Sequence, residues 1–438
     1  MRFVLLNQFY PPDMAPTGLY LHDLACILVQ RGHQVKVICS RRSYDGTKAY
    51  LPNEILDGVE VVRLPATGFG RRGFIGKLLD YTSFYGALLV ALLLERKRPD
   101  LILSLTTPPY IGLLAKLAAA RHRCRHAHWI MDLYPDTMVA HGMKRNGFLI
   151  RVLQKLTRFQ FKGAAHVFAL GPIMAERVSA YLTYQNKIKL EPSNQQTSVI
   201  RWFPLWSNAE LSPWPDDEPN PLRIARGWTN DVVFLYSGNM GLGHRFGEFI
   251  EAAKRLRHSG PRWVFAGGGK RRSEIVSAAK SIMARIDFLD YASQEELRAH
   301  LCSADVHLAS LNSSWQGFMV PSKLQGSFAV GRPVIYVGGR DCETARWIEE
   351  SGGGWVVDEN NLNGLLAIVA EALDPGERRK RGDAAMKFAR EHFNLSKNCG
   401  GITQLLEGRV VTSKSSDLTG KKIHETDQIL TDKFNSIL

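Results

Sequence analysis

Residues 2–38 read RFVLLNQFYPPDMAPTGLYLHDLACILVQRGHQVKVI, and the class of fold follows from this stretch. It opens on a short apolar run, Arg2 to Gln8, followed by a loop that holds Pro11, Pro12 and Pro16. From about Thr17 to Arg31 the apolar residues Leu21, Leu24, Ala25 and Leu28 recur at helical spacing, and Gly32 stands where a helix stops. Val35-Lys36-Val37-Ile38 is then a second strand. Near-continuous apolar strands joined by a helix mark a parallel sheet covered on both faces.

The same rhythm continues outward. Val59-Val61-Val62, Leu101-Ile102-Leu103, Ala127 to Ile130 and His166 to Leu170 are further strands. Residues 183–230 break the pattern with Asn, Gln, Ser and Pro, and they carry Trp206, Trp214 and Trp228. This reads as a connection between domains. A second series follows, with strands at Val232–Tyr236, Trp263–Ala266, Ile286–Leu289, Val306–Leu311 and Pro333–Val337. Its helices fall at Phe246–Leu256, Gln294–Cys302, Ser322–Val330 and Cys342–Glu350. The expected architecture is α/β: two doubly wound, Rossmann-like domains facing across a cleft. The divisions are 1–200, a linker at 201–230, a second domain at 231–390, and a crossover helix with a polar tail at 391–438.

Composition narrows the class. At 438 residues with 45% hydrophobic side chains, the chain is too apolar for disorder and too long for one core. The net charge of +14 is uneven: residues 1–200 carry 26 basic against 13 acidic side chains, and the remainder is nearly neutral. An anionic partner for the first half is expected: a phosphorylated ligand, a membrane surface or nucleic acid. No run reaches the roughly 18–20 apolar residues that span a bilayer, since Ala87 to Leu94 is too short. The start of the chain does not read as a signal peptide. The six cysteines form no CxxC pair and no zinc spacing, Cys26, Cys39 and Cys302 lie in apolar patterns, and a reduced cytosolic protein is expected.

In such sheets ligands lie beyond the carboxyl ends of the strands. Five loops there hold the candidate residues. Pro11 to Gly18 leads into the first helix, and Gly18 would let a ligand approach the backbone. Ser237-Gly238-Asn239-Met240-Gly241-Leu242-Gly243-His244-Arg245 offers free N–H groups for a phosphate, without the GxGxxG spacing of dinucleotide sites. Gly267-Gly268-Gly269-Lys270 exposes backbone beside a cation. Pro321-Ser322-Lys323 begins a helix: Pro321 and Ser322 suit its first turn, whereas Lys323 opposes the helix dipole there unless an anion shares the site. Asp132 falls at the carboxyl end of the Ala127–Ile130 strand, placed to take or orient a proton, whereas Asp136 suits a helix cap.

With these residues in view, the chain resembles the GT-B glycosyltransferases of family 4, in the bacterial branch that builds surface polysaccharides. The matching stretches are Gln8-Phe9-Tyr10-Pro11-Pro12, Arg31-Gly32-His33-Gln34-Val35, Asp132-Leu133-Tyr134-Pro135-Asp136, Tyr236-Ser237-Gly238-Asn239-Met240-Gly241, Pro321-Ser322-Lys323-Leu324 and Ala329-Val330-Gly331-Arg332-Pro333-Val334. The resemblance covers roughly residues 1–405. It implies a UDP- or GDP-linked sugar donor in the second domain, a lipid-linked or saccharide acceptor on the first, and transfer with retention, without a metal or other cofactor. Asp132 and Lys323 are the expected catalytic residues. Gly18, Gly238, Asn239, Gly241, Arg245, Gly268, Lys270, Ser322 and Lys323 are the expected donor contacts. Three departures stand out. Gly326 and Phe318 occupy the places of the family's Glu-x7-Glu pair, Met131 stands where many members carry His, and Thr17-Gly18 replaces a Gly-Gly.

Arg151, Lys155, Arg158 and Lys162 recur at spacings of four, three and four, which puts four cations on one helix face. Exposed apolar residues near them would suit an anionic membrane interface. The acceptor expected is a polyprenyl-diphosphate-linked sugar at the inner face of the cytoplasmic membrane, and no nucleic-acid signature appears. Two rival readings share the fold: a catalytically weak nucleotide-sugar-binding partner subunit, motivated by the missing acids and Met131, and a nucleotide-sugar epimerase.

Overall fold

The computed structural model describes residues 1–44, 46–69, 74–183, 199–280 and 282–409. The first half contains β1 (Arg2–Leu6), α1 (Pro16–Gln30), β2 (Gln34–Ser40), β3 (Asn53–Leu56), β4 (Val59–Leu64), α2 (Phe74–Leu93), β5 (Leu101–Ser104) and α3 (Ile111–His122). It continues with β6 (Arg125–Trp129), α4 (Asp136–Ala140), α5 (Phe148–Phe161), β7 (His166–Ala169), α6 (Pro172–Thr183) and β8 (Ile200–Trp202). The second half runs α7 (Pro221–Arg226), β9 (Val233–Ser237), α8 (Gly247–Arg255), β10 (Arg262–Ala266), α9 (Arg272–Lys280), β11 (Ile286–Leu289), α10 (Leu297–Cys302) and β12 (Val306–Leu311). It closes with α11 (Lys323–Ala329), β13 (Val334–Gly338), α12 (Glu343–Ser351), β14 (Gly354–Val357), α13 (Leu362–Ala372), α14 (Pro375–His392) and α15 (Leu395–Leu406).

Two sheets result. The first has the order β3-β4-β2-β1-β5-β6-β7-β8, and the second β11-β10-β9-β12-β13-β14. All pairs are parallel except the β3–β4 hairpin at the first sheet's edge, whose turn places Asp57 and Gly58 at positive φ. The central strands are apolar on both faces because helices cover both: Phe3, Leu5, Val37, Leu103, Phe234 and Leu235 are fully buried. Each such side chain stabilises the fold by roughly 1.5–3 kcal/mol. Strand order reverses between β1 and β5, and again between β9 and β12. These are the two switch points where crevices open.

The connecting segment differs from its sequence reading. Ile200–Trp202 is the eighth strand of the first sheet, not linker. Trp206 is buried against Tyr20 and Trp129, and its indole N–H donates to Asp23 at 2.7 Å. Trp228 is buried in the second domain. A polar composition hid two core tryptophans. Cys26 also departs from expectation: it is half-exposed, whereas Cys39 and Cys302 are buried.

After α14, which packs on α11, the chain returns to the first domain. There α15 packs on α1 and β7. Glu407 accepts from Arg31 at 3.1 Å and lies 2.8 Å from His33. The expected polar tail from residue 410, and the basic residues Arg71 and Arg72, lie outside the described residues. Among the described residues no helix is long and apolar enough to cross a membrane.

Candidate functional site

The second sheet's switch point sets the donor side. β9 ends at Ser237, and Gly238 follows at φ 128°, a conformation that excludes most side chains. A Cβ there would lie 3.2–3.3 Å from Cε and Nζ of Lys323. The Lys323 ammonium thus rests against the Gly238 backbone, 4.7 Å from the centre of the Tyr236 ring. Among the described residues no carboxylate comes within ion-pair distance of it. Burial lowers its pKa to about 8, so it remains mostly cationic at neutral pH. An unpaired cation deep in a cleft is positioned to receive an anion. Ser322 precedes it at the N-cap position of α11, but its side chain makes no capping bond. The capping role expected for Ser322 is therefore not what the structure has.

The two glycine loops pack on each other. Met240 N–H donates to Gly268 O at 2.7 Å. Gly269, at φ 135°, leaves room for Asn239 and Met240, which a Cβ would meet at 2.6 Å. A Cβ on Gly241 would lie 3.2 Å from the Asn239 amide nitrogen. The cations of these loops divide. Arg245 is engaged by Glu248 and Glu359 and by Asn360. Arg271 pairs with Glu274, and Arg272 with Asp290. Lys270 is exposed, and no acidic partner reaches it among the described residues. Gly18 has a packing reason of its own: a Cβ there would lie 3.0 Å from Phe9 O and 3.1 Å from Tyr10 Cα.

The acceptor side is built on β6. The N–H groups of Met131 and Asp132 both donate to the Thr106 hydroxyl, at 3.2 and 3.1 Å. Asp132 is held by backbone, and desolvation pushes its carboxyl up to about 6. Behind it a small cavity is lined by Thr106, Tyr110, His128, Tyr134 and Gln160. His128 sits between Ser104 Oγ at 2.8 Å and Gln160 O at 2.9 Å.

The two sides meet through the segment between β12 and α11, which pattern reading passed over. Asp132 forms an antiparallel bridge with Met319, and Leu133 N–H donates to Phe318 O at 2.9 Å. Phe318 also lies under the Arg177 guanidinium, 5.2 Å away, and Trp315 meets His141 edge-on at 4.4 Å. Glu343, at the start of α12, accepts the Met174 N–H of α6 at 2.7 Å. Asp132 is thereby fixed beside the segment that ends in Lys323, four residues after Met319.

At Gly326, the place of one missing acid, the surroundings are apolar, whereas Phe318, at the other, lies under Arg177. A Cβ on Gly326 would meet Leu301 at 3.2 Å and Leu211 at 3.6 Å. Neighbouring Gln325 is buried with neither amide atom hydrogen-bonded. On the outer face, α5 buries Ile150, Thr157, Gln160 and Phe161. Arg151, Lys155 and Lys162 are exposed and Arg158 half-exposed. Phe148 and Leu149, 79% and 53% exposed, sit on the same helix.

Two family models match the chain and together cover most of it: a glycosyl transferase 4-like domain over residues 17–192 and the glycosyl transferases group 1 over 222–387. WcaI, a colanic acid biosynthesis glycosyl transferase of Escherichia coli strain K12, is 27% identical over 85% of this chain and 92% of its own length. Among solved structures, WaaG, a glycosyltransferase involved in lipopolysaccharide biosynthesis, superposes with a TM-score of 0.66 at 16% identity, over 93% of this chain and all of its own. HepE of Anabaena in complex with UDP-glucose gives 0.65 at 13% identity, over 93% of this chain and all of its own.

Proposed function

We propose, for a chain that belongs to the GT-B glycosyltransferases of family 4, a retaining and metal-independent transfer of sugar from a UDP- or GDP-linked donor to a polyprenyl-diphosphate-linked saccharide. The observation that carries this reading is Lys323, an unpaired cation against Gly238, joined through Met319 to the turn that holds Asp132.

In this reading the donor diphosphate lies along the Gly238–Gly243 turn. The bond from the anomeric carbon to the phosphate oxygen breaks, and its electron pair goes to the leaving diphosphate. Lys323 and the N–H groups of Asn239, Gly241 and Gly243 meet that growing charge, which lowers the barrier without a metal, the Gly238 and Met240 N–H groups being held by Ala266 O and Gly268 O. The acceptor hydroxyl forms the new bond on the face the diphosphate leaves, which retains the configuration, and loses its proton to the Asp132 carboxylate. With a pKa near 6 that carboxylate is ionised at pH 7 yet basic enough to accept it. The HepE complex with UDP-glucose supports a uridine donor.

The lipid part of the proposal rests on α2, α3 and α5, which pack side by side in the first domain. Leu89, Val90 and Leu93 of α2, Leu117 of α3 and Phe148 of α5 are exposed there, beside the α5 cations. Such a face suits an anionic bilayer.

The test is transfer itself: purified protein, UDP- and GDP-sugars in turn, and a lipid-linked saccharide acceptor, with the product's anomeric configuration read by NMR. The expected result is a lipid-soluble product with the donor's configuration. Absence of both transfer and donor hydrolysis with every nucleotide sugar would leave a binding subunit, the reading that Gly326 and Met131 favour.

A further inference from the structure

Away from the cleft, three side chains of metal-ligand type converge on the outer edge of the first domain. His22 and Cys26 lie one turn apart on α1, and Asp57 reaches them from the β3–β4 turn. His22 Nε2 is 3.1 Å from an Asp57 carboxylate oxygen and 3.5 Å from Cys26 Sγ. All three ligand atoms lie within 4.8 Å of one another. Tetrahedral zinc, with bonds of about 2.0–2.3 Å, separates its ligand atoms by roughly 3.3–3.8 Å. The His22–Asp57 contact needs a shift of only a few tenths of an ångström, whereas Cys26 Sγ, which also lies 3.8 Å from His22 Nδ1 and so flanks the ring, must swing by roughly an ångström or more to share a metal with Nε2. The ring's other nitrogen is already held: His22 Nδ1 is 2.9 Å from the hydroxyl of buried Tyr10. A hydrogen bond at the far nitrogen fixes the ring's tautomer and orientation, as it does for ligating imidazoles.

The bland alternative explains less. An Asp-Gly turn is the ordinary choice for a two-residue hairpin, so Asp57's backbone requires no metal. Its carboxylate, however, turns back to His22, although the residue's side chain is 62% exposed and free to face solvent. A half-exposed cysteine beside that pair completes a nitrogen, sulfur and oxygen set, and a thiolate with a carboxylate balances a divalent charge.

We infer that His22, Cys26 and Asp57 form a zinc-binding site, with Tyr10 orienting His22. Zinc suits the donor set, since thiolate and imidazole favour it over magnesium or calcium. Three protein ligands leave the fourth position to water. The site fastens the β3–β4 hairpin to α1. Through Tyr10 it also steadies the loop after β1, at the first sheet's switch point. It does not take part in sugar transfer, and it stands whether or not the reading of the cleft does. A search for CxxC pairs misses it, because His22-x3-Cys26 gains its third ligand 31 residues later.

The test uses the full chain, freed of metal by chelator and titrated with Co2+ as the probe and with Zn2+ in competition. The expected result is one cobalt bound per chain, with a near-ultraviolet thiolate-to-cobalt band, displaced by Zn2+. Zinc should also raise the melting temperature. Cys26→Ser should remove the band, and Tyr10→Phe should keep it while weakening affinity about 10- to 100-fold, as loss of a group that orients a ligand does. Asp57→Asn, at an exposed turn, guards against misfolding: it should weaken binding while the unliganded protein melts as wild type does. Absence of a thiolate band in the wild type, or an unchanged band in Cys26→Ser, would overturn the proposal.

Discussion

The two domains share one architecture but treat their charge differently. In the second, the cations are mostly answered within the domain: Arg223 by Asp305, Arg245 by Glu248 and Glu359, Arg262 by Asp231 and Asp287, Arg340 by Glu349 and Asp358. Lys323, in the cleft, is an exception. In the first, Arg151, Lys155 and Lys162 form no ion pair among the described residues, and they sit beside exposed Phe148, Leu149 and Phe159. The second domain's largely compensated charge leaves Lys323, half-buried in the cleft, for a ligand. The first domain's uncompensated face needs an external anionic phase.

The account can be broken at each side of that contrast. The largest effect belongs to Asp132: Asp132→Asn should cut turnover by a hundredfold or more, the scale of a lost general base. Its pKa rises from 3.8 to about 6 on folding. Ionising it therefore costs stability as pH climbs through that window, and the full cost remains at pH 7. Asn should accordingly melt higher than wild type at pH 7 and gain little near pH 4. Lower melting at pH 7 would show that the carboxylate has a partner the account lacks.

Lys323→Ala should lower turnover about a hundred- to a thousandfold, as removal of one charge-stabilising donor does. Wild-type activity would remove it from the mechanism. Replacing Arg151, Lys155, Arg158 and Lys162 together by Gln should weaken partition onto anionic vesicles by on the order of a thousandfold at low salt, given about 1 kcal/mol per interfacial cation. Flotation checks this, and salt-insensitive binding would contradict it. The smallest effect is in pH. With Asp132 near 6 and Lys323 near 8, kcat/KM should follow a bell, falling about tenfold per unit outside those limbs. Lys323→Arg should retain charge and lose the alkaline limb.

Much of this was legible in residue order. The strands of both sheets announce themselves as apolar runs because both faces are covered, and Lys323 was marked by opposing its own helix dipole. The closure of the cleft was not legible. Asp132 and Met319, or Met174 and Glu343, meet only when two domains dock, and no local period records that. Trp206 was hidden because it lies in an irregular stretch with no helical or strand period, although the ring fills the core beside Trp129. Arg245 could be placed in the donor loop by spacing, but not its capture by Glu359, more than a hundred residues away.

The central claim is that Lys323 meets the diphosphate, and calorimetric titration tests it most directly. UDP and GDP, with uridine and guanosine as controls, are titrated into wild type and Lys323→Ala. The account predicts that Lys323→Ala loses most of its affinity for the diphosphate that wild type prefers, while nucleoside binding is little changed. Equal affinity of the two proteins for that diphosphate would contradict it.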